Sequence, residues 1–259
     1  MSEMIDKIEC LGRKTHETVW RIGHFVCFFY QSLMYHDKKF FSQFKYSLVQ
    51  QGTHSLGLIV LSAAFIGMVL ALQGYVILAR FGAEQALGQL IAMSMIRELG
   101  PVMCSLFFIG RSCSTITAEL ALMRITMQID SLEVIGVNPL ARLIAPRLWA
   151  VLFVAPLLIS VFISVAILGG SLVSISVLGV DYGAFWSNIA TTVHFYDDIV
   201  KSLLKGLIFF FNAVAVAIYQ GYFVAPQVEA VAKATTRTVV LSSALTLALD
   251  YILTSFTVN

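Results

Sequence analysis

The sequence predicts an all-α integral membrane protein: an N-terminal interfacial helix, five transmembrane helices, and a short cytoplasmic helix between the second and third spans. Three observations carry this. Hydrophobic residue types make up 58% of the 259 residues, above the roughly 45–50% of soluble domains, and charged residues only 12%, about half the usual ~25%. Mean hydropathy is +0.84. The charges that exist separate uncharged runs long enough to cross a hydrocarbon core of ~30 Å, which takes ~20 residues at ~1.5 Å each.

Nearest the N-terminus, residues 22–35 carry no Lys, Arg, Asp or Glu, a length of ~10–14 that fits an interfacial element rather than a span. Trp20, Arg21, His24, Tyr30 and Tyr35 punctuate the stretch with amphipathic side chains, as at a membrane surface. Residues 1–50 therefore read as a cytoplasmic, interfacial region and 51–259 as the transmembrane domain. Residues 55–79 form the first uncharged span. The second, 99–123, must tolerate Arg111 and Glu119 inside it. The third run, 148–180, is too long for one span and short for two, with Gly169-Gly170 expected to mark where the helix breaks or leaves the membrane. Residues 206–228 are the fourth span. The fifth, 238–258, contains Asp250.

Placement of Lys and Arg sets the orientation. With the N-terminus inside, twelve basic residues lie on the cytoplasmic side and four (Arg80, Arg97, Lys201, Lys205) outside, with Arg111 in the membrane. The C-terminus is then periplasmic. A net charge of +2 without a basic block excludes nucleic acid as a partner. The N-terminus reads as carrying no cleavable signal. The four cysteines lack CxxC spacing and read as reduced and structural rather than as metal ligands. No GxxxxGK[ST], HExxH or GxSxG motif is present, so neither phosphate cradling nor catalysis is expected of this chain alone, and no cofactor or metal is expected on it.

Charged side chains inside a membrane are costly and usually face protein or a wet cavity. Arg97 and Glu98 open the second span, Lys205 opens the fourth, and Asp250 sits about 20 Å along the fifth from Arg237 at 1.5 Å per residue. These four residues from three helices are expected to form a polar cluster in the outer third of the membrane. Snorkelling to headgroups is the competing reading, sufficient for Lys205 but not for the short Asp250. Arg111 and Glu119 are expected to be structural, with Ser112, Ser114, Thr115 and Thr117 available to the guanidinium. Between the second and third spans, Ile125, Ile129, Leu132 and Ile135 keep helical spacing beside Arg124, Gln128, Asp130 and Glu133. Gly136 and Pro139 supply the stop. Such a helix floats on lipid or docks a cytosolic partner, and its acids argue against binding anionic lipid. Ala64, Gly67, Ala71 and Gly74 permit close helix packing, within one subunit or between two.

Several of these stretches together resemble the MlaE family of permeases: Ile66–Gln73 (IGMVLALQ), Arg97-Glu-Leu-Gly-Pro101, Gly110-Arg111, Ala118-Glu119, Met123-Arg124, Gln128-Ile-Asp130, Val137-Asn-Pro139 and Ala234-Thr-Thr-Arg-Thr-Val-Val240. They occur in order from about residue 50 to the C-terminus. The segment 224–233 lacks glycines often found there in the family. The resemblance implies the permease subunit of an ABC system in the Gram-negative inner membrane that moves phospholipid and maintains outer-membrane lipid asymmetry. It further implies a homodimer enclosing a lipid cavity and a cytosolic ATPase (MlaF-like) that holds ATP and Mg²⁺. A STAS-domain protein (MlaB-like) and a hexameric periplasmic MCE protein (MlaD-like) complete the implied assembly. Residues 124–139 then correspond to the coupling helix against the ATPase, and Arg97, Glu98, Lys205 and Asp250 lie near the lipid cavity. Two alternatives are an ion-coupled secondary transporter using Asp250 and Glu98, and a scaffold that only anchors its partners.

Overall fold

With no water to satisfy them, backbone groups crossing a bilayer must bond within their own segment, which selects helices for a chain this apolar. The structure, a computed structural model, describes residues 40–258 and, apart from them, Gly23. The interfacial helix expected near residues 22–35 lies outside the described residues. Among these, five segments are long and apolar enough to cross a membrane: Phe41–Ala79, Glu84–Ile125, Leu140–Ser176, Phe195–Tyr222 and Val228–Phe256.

Helix α1 (Phe40–Ala79) covers about 60 Å at 1.5 Å per residue, twice the bilayer core, and so begins well before the uncharged run at 55–79. The second segment also starts earlier than residue 99. It runs through α2 (Leu87–Ser94), a π-helical turn at Met95–Leu99, α3 (Gly100–Phe108), a second π turn at Ile109–Cys113, and α4 (Ser114–Ile125). Arg97 and Glu98 are therefore inside this helix, not at its start. Helix α5 (Gln128–Val134) is the short element between the second and third spans. Helix α6 (Ala145–Ser176), entered through a π turn at Leu140–Ile144, is the third span. Helix α7 (Tyr182–Thr192), capped by Asp181, comes next. A π turn at Phe195–Val200 leads into α8 (Lys201–Tyr222), and α9 (Val228–Val258) ends the described chain.

The Gly169-Gly170 pair does not break the third span: α6 continues through it to Ser176. The reason is packing. Among the described residues the most extensive helix–helix interface is α1 against α6, and the helices cross where side chains are absent. A Cβ on Gly67 would run into the backbone carbonyl of Ala166, and one on Gly169 would lie 2.6 Å from the Ala64 carbonyl oxygen. Small residues bring transmembrane helices together because dispersion at short range, not burial from water, holds them. This is the intrasubunit use of the small-residue stripe at 64–74.

Helix α9 packs on α8 and α4 through a row of small hydroxyl residues. Thr238, Ser242 and Thr246, four apart, are buried, while Val240, Leu245, Leu247, Tyr251 and Phe256 are exposed. Thr238 meets the Thr117 hydroxyl at 3.0 Å. The apolar core itself gathers where α1, α3, α4, α6 and α8 meet, around Phe108, Phe162 and Phe210. Cys104 and Cys113 are buried there as free thiols.

Candidate functional site

The second span is built irregularly where its charges lie. Pro101 has no N–H, so it leaves the carbonyl of Arg97, four residues earlier, without its helical donor. The π turn at Met95–Leu99 takes up the irregularity, and Lys205 Nζ comes within 3.5 Å of that freed carbonyl. From α8, the same ammonium donates to Glu98 Oε2 at 2.8 Å and to Thr254 Oγ1 of α9 at 2.8 Å. An ammonium has three protons, and these three acceptors use them. Asp250 Oδ1 pairs with it by charge at 2.6 Å without hydrogen-bond alignment. Thr254 in turn donates to Glu98 Oε2 at 3.1 Å. Lys205 is thus the hub of three spans, and at 9% exposure it does not snorkel.

Arg97 is held beside this hub rather than in it. Its Nε donates to Asp198 Oδ1 at 2.7 Å, and Asp198, 2% exposed, also accepts from the His194 backbone N–H at 2.8 Å. Asp198 itself lies in the π turn that opens the fourth span, so two π turns face one another through an ion pair. A cavity of about 190 Å³ opens here, lined by Arg97, Glu98, Asp197, Asp198, Lys201 and Lys205. Leu99, next in sequence to Glu98, lines a separate apolar cavity of about 340 Å³ with Phe65, Ile66, Val69, Leu70 and Gln73 of α1.

At the opposite end of the bundle, Glu119 of α4 accepts from Arg147 Nη2 of α6 at 3.0 Å and from the side-chain amide of Gln50 of α1. Gln51 donates to the Arg147 carbonyl at 3.4 Å. Arg147 is buried, not solvated at a loop as its position at the edge of an uncharged run suggests. Arg111 does not join this group: it is exposed and donates to Thr115 Oγ1 at 2.9 Å. Nearby, α5 starts after Met127 in the left-handed region (φ 54°). It is tied by the Arg124–Asp130 ion pair at 2.5 Å. It stops at Gly136 (φ 75°), with Val137 N–H bonded to Leu132 O and Gly136 N–H to Glu133 O, the paired bonds of a glycine-terminated helix. Of its apolar residues, Ile129 is buried, Leu132 is half-buried, and Val134 and Ile135 are exposed. Of the apolar positions 125, 129, 132 and 135, only Ile129 is fully buried against the bundle, because one short helix touches it along one line only.

The family model described as Permease MlaE matches residues 44–256. The chain belongs to the MlaE permease family. It is 48% identical to the intermembrane phospholipid transport system permease protein MlaE of Haemophilus influenzae, over 79% of this chain and 78% of that one. A probable ABC transporter permease protein of Rickettsia felis is 32% identical over 94% of this chain and 95% of its own length. The chloroplastic protein Trigalactosyldiacylglycerol 1 of Arabidopsis thaliana is 29% identical over 81% of this chain and 59% of its own.

In this MlaE-family permease, the residues singled out from sequence divide clearly. Glu98, Lys205 and Asp250 come into one contact group, with Arg97 one ion pair away on Asp198. Glu119 pairs with Arg147, leaving Arg111 apart. Arg124, Gln128, Asp130 and Glu133 all lie at or on α5. Among the participants that sequence reasoning missed are Thr254, Asp198 and Arg147. Thr254 has a legible signal, since 238, 242, 246, 250 and 254 form a polar row of period four on one face of a helix. Asp198 and Arg147 have none, because each sits where a run of charge meets a run of apolar residues and only packing decides its burial.

Proposed function

We propose that this chain is the membrane-spanning subunit of an ABC-type system that moves phospholipid between the inner and outer membranes of a Gram-negative bacterium, keeping outer-membrane lipid asymmetric. One observation carries this reading: consecutive residues of the second span, Glu98 and Leu99, line an ionic cavity and an apolar cavity respectively. A phospholipid presents these two chemistries end to end, and binding sites combine apolar lining with a few placed polar groups. The similarity to a permease named for intermembrane phospholipid transport agrees with it.

With the N-terminus cytoplasmic and the C-terminus periplasmic, the Lys205 cluster lies on the periplasmic side and α5 on the cytoplasmic side. Two copies then face each other across the lipid cavity. A separate MlaF-like ATPase, binding ATP and Mg²⁺, docks on α5, which acts as the coupling helix. A MlaB-like STAS protein attaches to the ATPase, and a hexameric MlaD-like MCE protein receives or supplies lipid at the periplasmic face. Because Lys205 ties the second, fourth and fifth spans, they move as one body, so closure driven at α5 narrows the cavity between copies. Lys205→Ala and Asp250→Ala in the reconstituted complex are each expected to slow lipid transfer about tenfold, the loss for one charge-assisted contact, with assembly intact. Transfer at the parent rate in both variants overturns the role of the cluster.

A further inference from the structure

Three of the described π turns are five residues long and carry arginine at their third position: Arg97, Arg111 and Arg142. A π turn inserts an extra residue into a helix and re-aims the side chains beyond it, and such bulges concentrate at functional sites. Arg97 has its acid, Asp198. Arg111 has no carboxylate partner among the described residues, and its guanidinium donates instead to the Thr115 hydroxyl, about one helical turn ahead. An arginine side chain within a membrane-spanning segment, exposed and without a counter-ion among the described residues, is a cation waiting for an anion.

The surroundings are built for one. Arg111 lines a cavity of about 200 Å³ between the first and second spans with Gln50, Gln51, His54, Ser112 and Thr115. Ser55 and Ser112, 2.6 Å apart, fasten the two helices at its edge. Gln51, 3% exposed, keeps a side-chain oxygen there without a partner, an acceptor for an amine or hydroxyl. Glu119, two turns further along the helix, is occupied by Arg147 and does not cancel Arg111. The same seam becomes apolar at Phe65–Leu70 and Leu99. The interval from Arg111 to Leu99 is about 18 Å at 1.5 Å per residue, close to the ~15 Å of one leaflet.

The geometry points to a second phospholipid site on the α5 side of the membrane. Arg111 takes the headgroup phosphate, Gln51 its amine or hydroxyl, and the seam toward Leu99 an acyl chain. This rests on the permease reading and adds a site distinct from the Lys205 cluster.

The test places benzoylphenylalanine at His54 in the full transporter complex, in nanodiscs of phosphatidylethanolamine and phosphatidylglycerol, and measures lipid captured on illumination. Capture is expected, falling about tenfold in Arg111→Gln, as for loss of one charge-assisted contact, and largely kept in Arg111→Lys. Should Arg111→Gln not assemble, Thr115→Val, which removes the hydroxyl that orients the guanidinium, is expected to give a smaller loss. Equal capture in the variant that assembles, no capture in the parent, or capture abolished by millimolar inorganic phosphate overturns the site as a lipid site. Lipid transfer by the same preparation separates the two readings. Transfer without capture at His54 removes this site alone, and Arg111-dependent capture without transfer supports the site while removing the permease reading.

Discussion

At the scale of single residues, Lys205 decides the behaviour of the ionic cluster. Its side chain is 10% exposed, against 23% for Asp250 and 44% for Glu98, so the cation is the buried partner and the acids form its shell. Removing the cation leaves two carboxylates near one another without a counter-charge. Removing one acid leaves the ammonium with the other and with Thr254. Lys205→Met is therefore expected to cost about 2 kcal/mol, below the ~3–5 typical of fully buried pairs because Glu98 is wetted. Asp250→Asn is expected to cost less than half as much. Thermal denaturation in nanodiscs measures both, and equal costs would show that Lys205 is not the hub. The depth of Asp250 was legible in the sequence, since it interrupts an apolar segment, whereas Glu98 and Lys205 read as opening their spans. The pairing was not legible, because the partners lie 107 positions (Glu98 and Lys205) apart in the chain, and nothing local links them.

At the scale of elements, the first and third spans are held by absence of side chains. Gly67 faces the backbone of Ala166, which cannot move aside as a flexible side chain can. Gly67→Ala is expected to destabilise by about 1–3 kcal/mol, the range for forcing an extra methyl group into a packed interior. Gly57→Ala on the same helix, with open space around its Cβ position, is expected to be neutral. A melting-temperature difference between the two variants checks this, and similar values would remove the close crossing as a source of stability. The sequence showed small residues at helical spacing on the first span but suggested a break at Gly169-Gly170. A glycine pair in a uniformly apolar run carries the same letters whether it ends a helix or admits a neighbour. The neighbour, here Ala64 and Gly67, is what distinguishes the two.

At the scale of the whole molecule, polar machinery sits at both ends of an apolar bundle. The Lys205 cluster stands at one end, and α5 with the Glu119–Arg147–Gln50 group stands at the other. In the proposed coupling role, the exposed apolar residues at the end of α5 serve assembly rather than folding: Val134 is 87% and Ile135 69% exposed, whereas Ile129 is fully buried. Val134→Asp with Ile135→Asp is accordingly expected to cut co-purification of the ATPase about tenfold or more, as for loss of buried apolar contacts at an interface centre, without lowering the melting temperature. Ile129→Asp is expected to lower the melting temperature itself. A double variant that keeps the ATPase at the parent level would remove α5 as the docking element. By itself the sequence determined the helical class, the number of spans and the family. Hydropathy and backbone hydrogen bonding in lipid are properties of each segment alone, and the family's motifs are read in order along the chain. Tertiary structure alone decided which charges are partnered, which glycines are crossings, and which face of the short helix is left open. Each of these depends on what another part of the chain brings within a few ångströms.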